Sequence, residues 1–142
     1  MLGKTLWACL LVALTVSVHA AGLSSLLKVF VSAKKTLPTQ FWPITWFLVR
    51  VSWFLLLIHM LEIVIWGVFY IWSGAVPDPE TAFYFSAVTY ATIGYGDVVL
   101  PEYWRILSPI EGLTGILMCG LSTGIFFVVV TRLFTDLKPR SS

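Results

Sequence analysis

The chain has 142 residues, of which 58% are hydrophobic and 11% charged, a balance too apolar for an ordinary soluble domain. Its net charge of +2 comes from basic residues scattered at the ends of apolar runs, not from a patch, so a nucleic-acid surface is excluded. Cys9 and Cys119 both fall inside apolar runs, so they suggest neither a disulfide framework nor a metal-binding spacing and read as packing residues.

Three runs meet the ~20 apolar residues that a hydrocarbon core demands: residues 5–31, 44–72 and 106–134. Lys4 just before the first run, its apolar stretch and Val18-His19-Ala20 together also resemble a cleaved secretory signal. Charge placement decides between the two readings. Lys28, Lys34, Lys35 and Arg50 flank the first connection, and Arg132, Lys138 and Arg140 flank the end of the last run, seven of the nine basic residues. The positive-inside rule puts both regions in the cytoplasm and residues 73–107 outside. Cleavage after Ala20 would strand Lys34, Lys35 and Arg50 on the wrong face, so the first helix is expected to span the membrane and to be retained. Trp42 and Trp46 then lie at the inner border, and Trp66, Trp72 and Trp104 at the outer one, consistent with interfacial belts and equally with plain packing.

In the second run, His59 and Glu62 stand three residues apart on one helix face, deep enough that contact with lipid would be costly. They are expected to face protein, as a hydrogen-bonded structural pair or a pH-sensitive contact, with His19 of the first helix as a third member.

Asp78-Pro79-Glu80-Thr81 then opens a helix: Asp78 is the N-cap, Pro79 the first helical residue, and Glu80 a carboxylate in the first turn. Running to about Ala91 it would be ~20 Å long, too short to cross, yet Phe83, Tyr84, Phe85, Ala87 and Val88 make it apolar enough to be buried. A segment that enters the membrane and returns is tolerated only where its backbone is buried in protein or lines a watery path. The lining would be the glycine-punctuated stretch that follows, Thr92-Ile93-Gly94-Tyr95-Gly96-Asp97.

That stretch resembles the selectivity-filter motif of potassium channels, and the order outer helix, pore helix, filter, inner helix resembles the pore domain of that family over about residues 44–134. The resemblance leaves the first helix unaccounted for; taken with the apolar runs and charges, the expected all-α membrane protein has an N-terminal transmembrane helix (1–36), a pore domain (37–135) and a short cytoplasmic tail (136–142). The resemblance also implies a homotetramer in the lipid of a cell membrane that passes K⁺ without chemistry or cofactor. By the same resemblance, the carbonyls of Thr92, Ile93, Gly94 and Tyr95 hold K⁺, the Thr92 hydroxyl adds the innermost ligand, and the Tyr95 ring packs on pore-helix aromatics such as Phe85. Physical chemistry supports these residue types on its own terms, because carbonyl oxygens can replace an ion's water and Gly94 and Gly96 accept the left-handed dihedrals such a row needs. The pore position that holds a filter-supporting carboxylate in some members is Val88 here.

Ser108-Pro109-Ile110-Glu111 reads as a capping box that starts the inner helix, with Glu111 reaching back to Ser108. Gly112, Gly115, Gly120 and Gly124 follow. Gly115 or Gly120 would be a gating hinge by resemblance, and the competing reading is close helix packing. Ser122 and Thr123 either face the cavity or bond back to their own helix. No voltage-sensing arginine ladder and no ligand-binding domain is present, so a gating stimulus would need another polypeptide as regulatory subunit. Rival readings are a weakly selective cation channel and a non-conducting partner subunit or membrane enzyme. The last finds no nucleophile, metal-ligand or phosphate-binding constellation in the sequence.

Overall fold

The computed structural model describes residues 2–32 and 40–137. Lys34, Lys35, Lys138 and Arg140, four of the charges that set the expected topology, lie outside the described residues, as does nearly all of the expected tail. The described residues form four helices and no strand: α1 (Leu2–Ser32), α2 (Phe41–Trp72), α3 (Pro79–Tyr90) and α4 (Leu107–Leu137). Helices α1, α2 and α4 each carry a window long and apolar enough to cross a membrane. The protein is thus an all-α membrane protein of the expected element order.

Side chains at successive levels give the packing directions. Ala8 and Leu11 of α1 pack with Trp66, Phe69 and Tyr70 near the end of α2. Leu26 meets Val51, Leu55 and Ile58 further back along α2, and Phe30 meets Val129 and Leu133 at the far end of α4. Helix α1 is therefore antiparallel to α2 and parallel to α4, and its N-terminus lies on the same face as the segment joining α2 to α4. There the Lys4 ammonium sits 3.8 Å over the Tyr103 ring. Polar ties supplement the packing, because apolar contact alone discriminates poorly between helix and lipid. The Trp66 indole donates to the Thr15 hydroxyl at 3.1 Å, and Thr15 donates to the Leu11 carbonyl at 2.8 Å.

Helix α3 is the short apolar helix, about 18 Å long at 1.5 Å per residue, and it is wedged between α2 and α4. Asp78 caps it, accepting from the Thr81 backbone N–H at 2.8 Å and from the Thr81 hydroxyl at 2.6 Å, which hold its carboxyl below the usual carboxylate range. Pro79 occupies the first turn, where its missing N–H costs nothing.

The start of α4 departs from the expected capping box. The helix begins at Leu107, one residue before the expected cap, after a turn in which Pro101, Trp104 and Arg105 carbonyls take the N–H groups of Trp104, Leu107 and Ser108. Those N–H groups need no side-chain cap, and Glu111 is used elsewhere. It is fully buried, and its carboxylate accepts from Tyr70 Oη of α2 and Ser86 Oγ of α3, each at 2.6 Å. Glu111 is thus the polar pin joining α2, α3 and α4. Replacing it with Ala would leave the buried Tyr70 hydroxyl without its acceptor, at ~1–3 kcal/mol, and a void beside it, while the Ser86 hydroxyl keeps the Ile63 carbonyl at 3.0 Å. Glu111→Ala is expected to lower stability by about 3–5 kcal/mol in reversible unfolding from detergent, and Glu111→Gln, which keeps an acceptor, by about half of that.

Candidate functional site

Residues 91–97 leave the end of α3 as non-helical backbone, and every one of them is exposed in the single chain. Their conformation alternates. Thr92, Gly94 and Gly96 have φ of 59°, 53° and 78°, while Ile93 and Tyr95 between them stay at negative φ. Alternation of right- and left-handed residues aligns successive peptide groups, so N–H groups gather on one side and carbonyls on the other. The N–H side is anchored: Thr92 N donates to the Thr89 carbonyl at 2.9 Å, and Ile93 N and Gly94 N donate to the Val88 carbonyl at 2.8 and 3.1 Å. Among the described residues no backbone hydrogen bond ends on the carbonyls of Thr92, Ile93, Gly94 or Tyr95. Thr92 is the one described non-glycine residue at positive φ, a conformation costing ~1–2 kcal/mol that these anchors must offset. The sequence marked Gly94 and Gly96 as left-handed. It gave no sign of Thr92.

The outer end is tied down by Asp97, whose carboxylate accepts from the Tyr84 hydroxyl of α3 at 2.7 Å. That bond is the main reason the Asp97 carboxyl lies below its ordinary range and the Tyr84 hydroxyl above its own. A depressed folded value means that the bond stabilises above the unfolded carboxylate range and is lost as pH falls through the folded value. Tyr84→Phe is expected to let the Asp97 titration move up towards the ordinary carboxylate range, read by carbon-13 NMR of its carboxyl; an unmoved titration would remove the bond from the account.

Tyr95 does not pack on Phe85 within one chain. The Phe85 ring meets Tyr70 instead, with centroids 5.3 Å apart, while Tyr95 is 68% exposed. Tyr95, Phe85 and Val88 line a common cavity of about 260 Å³ between the loop, α3 and the start of α4. Ile93, at 55% exposure, also presents apolar surface that the chain leaves uncovered.

Of the α4 glycines, Gly115 lies against α3 so closely that a Cβ there would overlap the Tyr90 carbonyl, and Gly112 faces the Thr89 carbonyl. Gly120 and Gly124 have nothing within 4 Å of a Cβ position, and α4 runs through all of them unbroken. Packing within the chain thus accounts for Gly115 and not for Gly120. Thr123 bonds back to the Cys119 carbonyl at 2.9 Å, whereas Ser122 is turned towards α1. Cys9 and Cys119 are exposed on the chain, not packed inside it as expected.

Helices α1, α2 and α3 bring His19, His59, Glu62 and Tyr90 together. His19 Nδ1 lies 2.8 Å from Glu62 Oε1, His59 Nδ1 is 2.9 Å from Tyr90 Oη, and Tyr90 Oη donates to Glu62 Oε2. His59 Nδ1 is 3.4 Å from Glu62 Oε2. His19 and Glu62 are fully buried. The sequence named His19, His59 and Glu62 but missed Tyr90, the last residue of α3, whose hydroxyl reads as one more aromatic in an apolar run.

A short re-entrant helix between two membrane-length helices, followed by an exposed loop of alternating handedness, defines a pore-loop membrane protein. A family model described as "Ion channel" matches residues 58–132, from the middle of α2 to near the end of α4, which is more than half of the chain. The chain therefore belongs to the ion-channel family built on the two-helix pore domain of potassium-channel type. Comparison with curated proteins and with solved structures returned no match. Helix α1 falls outside the matched residues.

Proposed function

We propose that the chain is one subunit of a homotetrameric potassium-selective channel of the cell membrane, with residues 92–97 as its filter. The observation that carries the reading is the sorting of backbone groups in that loop: the N–H groups of Thr92, Ile93 and Gly94 are spent on the end of α3, and the carbonyls of Thr92 to Tyr95 receive no backbone bond from the described residues. Unbonded carbonyls at membrane depth are costly unless something else satisfies them, and a dehydrated K⁺ is such a partner. The exposed rings and side chains of Ile93 and Tyr95 need other copies to cover them, and closed symmetry supplies those copies around a shared axis. Four copies would set the carbonyls in rings. Helix α3 adds the negative pole of its dipole beside Thr92, which favours a cation at the inner end of the filter. Ions pass down their gradient, with K⁺ as permeant ion and no cofactor.

Orientation follows from charge. Lys28, Arg50 and Arg132 belong to the face opposite the loop, so the loop faces outward and the C-terminus the cytoplasm. Gly115 and Gly120 are the hinge candidates on α4, and Gly120, where an added Cβ would meet nothing within 4 Å among the described residues, is the one with room to bend. Purified protein in liposomes tests the reading by K⁺ against Na⁺ flux, with Ba²⁺, a divalent ion of similar size, as blocker. Comparable Na⁺ flux would favour the weakly selective channel, and no flux from a folded tetramer the non-conducting subunit.

A further inference from the structure

We propose that His19, His59 and Glu62 form a binding site for a divalent transition-metal ion of the Zn²⁺ class, set across the contact of α1 with α2. Ion conduction does not call for such a site. Two imidazole nitrogens and a carboxylate oxygen lie within 4.8 Å of one another, with His19 Nδ1 at 2.8 Å from Glu62 Oε1 and His59 Nδ1 at 3.4 Å from Glu62 Oε2. Metal–ligand bonds of ~2.0–2.2 Å place tetrahedral donors roughly 3.4 Å apart, so shifts of about an ångström or less would admit an ion. Two imidazoles and one carboxylate are a donor set that zinc accepts with a fourth position to fill. The Tyr90 hydroxyl, bonded to both His59 and Glu62, borders the same cluster, and a water would fill the fourth position.

Three further features of the cluster favour an ion over hydrogen bonding alone. Both histidines turn Nδ1 towards Glu62, while the other nitrogen of His19 lies 3.4 Å from the Ser122 hydroxyl of α4. Outer partners of this kind can fix the tautomer of a metal-ligating histidine; with the proton on Nε2 and shared with Ser122, the Nδ1 lone pair is left to bind a cation beside Glu62 Oε1. Glu62 is fully buried, and among the described residues its ion pairs are with the histidines alone, so a divalent ion would offset a carboxylate that apolar surroundings otherwise penalise. Access exists as well. A cavity of about 330 Å³, lined by His59, Cys119, Ser122 and Thr123, opens beside the cluster.

An ion here would clamp α1 to α2 and hold the last residue of α3, two positions before Thr92. The test is metal bound to the full chain in lipid nanodiscs, stripped with chelator and then dialysed against Co²⁺ or Zn²⁺. About one ion per chain is expected, with the visible bands of four-coordinate Co²⁺ and a higher unfolding temperature in Zn²⁺. His19→Gln and His59→Gln should each weaken binding by about tenfold or more, and Cys119→Ser should not. Folded wild-type protein that takes up no stoichiometric ion overturns the site, as do Co²⁺ bands that survive both histidine substitutions; a hydrogen-bonded cluster is then all it is. Because the readout is metal per chain, the result stands apart from K⁺ selectivity.

Discussion

If the chain is the proposed tetrameric K⁺ channel, Gly94→Ala is expected to abolish selective K⁺ flux while leaving the fold and the assembly as in wild type. A Cβ at Gly94 meets nothing within 4 Å in its own chain, so the penalty is not a clash with α3 or α4. It comes from φ of 53°, where an alanine pays ~1–2 kcal/mol relative to the right-handed region. In a homotetramer the substitution enters four times, which brings the cost of the conducting arrangement to roughly 4–8 kcal/mol per pore. At 1.4 kcal/mol per factor of ten, the conducting population falls by about a thousandfold or more. Each chain can relieve its strain by turning one peptide, and that turn takes a carbonyl away from the axis it is proposed to line. Helix content by circular dichroism and tetramer mass should match wild type, because the anchors at Thr92 and Ile93 lie before the altered residue. Liposomes in which Gly94→Ala still passes K⁺ in strong preference to Na⁺ would show that the filter is not this loop.

The legible parts of this fold are those in which a residue acts on its own backbone. Asp78, Pro79 and Glu80 announce the start of α3 because a cap, a missing N–H and a first-turn carboxylate are local effects, and the structure places each where the sequence did. Glu111 shows the limit of that logic. Its spacing from Ser108 fits a capping box, but the preceding turn had already satisfied the backbone, and the carboxylate went to hydroxyls on two other helices. The neighbours of His19 were harder still. A membrane helix can be apolar all round, since lipid and protein are about equally apolar, so no periodicity says which face meets which neighbour. Polar residues carry that information instead: Thr15, His19, Glu62, Ser86 and Glu111 are all buried and all bonded, and together they fix how α1, α2, α3 and α4 meet. Thr92 and Tyr90 were missed for a related reason. The left-handed φ of Thr92 is imposed by two carbonyls of α3, and the Tyr90 hydroxyl acquires its role only from Glu62 and His59.

The second large effect is expected at Gly115, where Ala should separate the inner helix from the pore helix. A Cβ there would overlap the Tyr90 carbonyl oxygen and come within 2.9 Å of its carbon and 3.2 Å of its Cα, all of it backbone that cannot rotate away as a side chain would. Either α4 moves outward or the end of α3 does. The end of α3 is held by Tyr90 to Glu62 and His59, and its last turn carries the Val88 and Thr89 carbonyls that anchor residues 92–94. Overpacking against such fixed atoms costs ~1–3 kcal/mol or more, and here it also disturbs the Glu111 bonds to Tyr70 and Ser86 across the same contact. Gly115→Ala is therefore expected to lose about 2–4 kcal/mol of stability in reversible unfolding from detergent, together with much of the tetramer. Gly120→Ala is the internal control, because open space surrounds its Cβ position, and the higher helix propensity of alanine should leave it within about 1 kcal/mol of wild type. If Gly115→Ala proves as stable and as tetrameric as Gly120→Ala, the two helices do not meet at this point, and the support that α4 gives the end of α3 must be sought elsewhere along the helix.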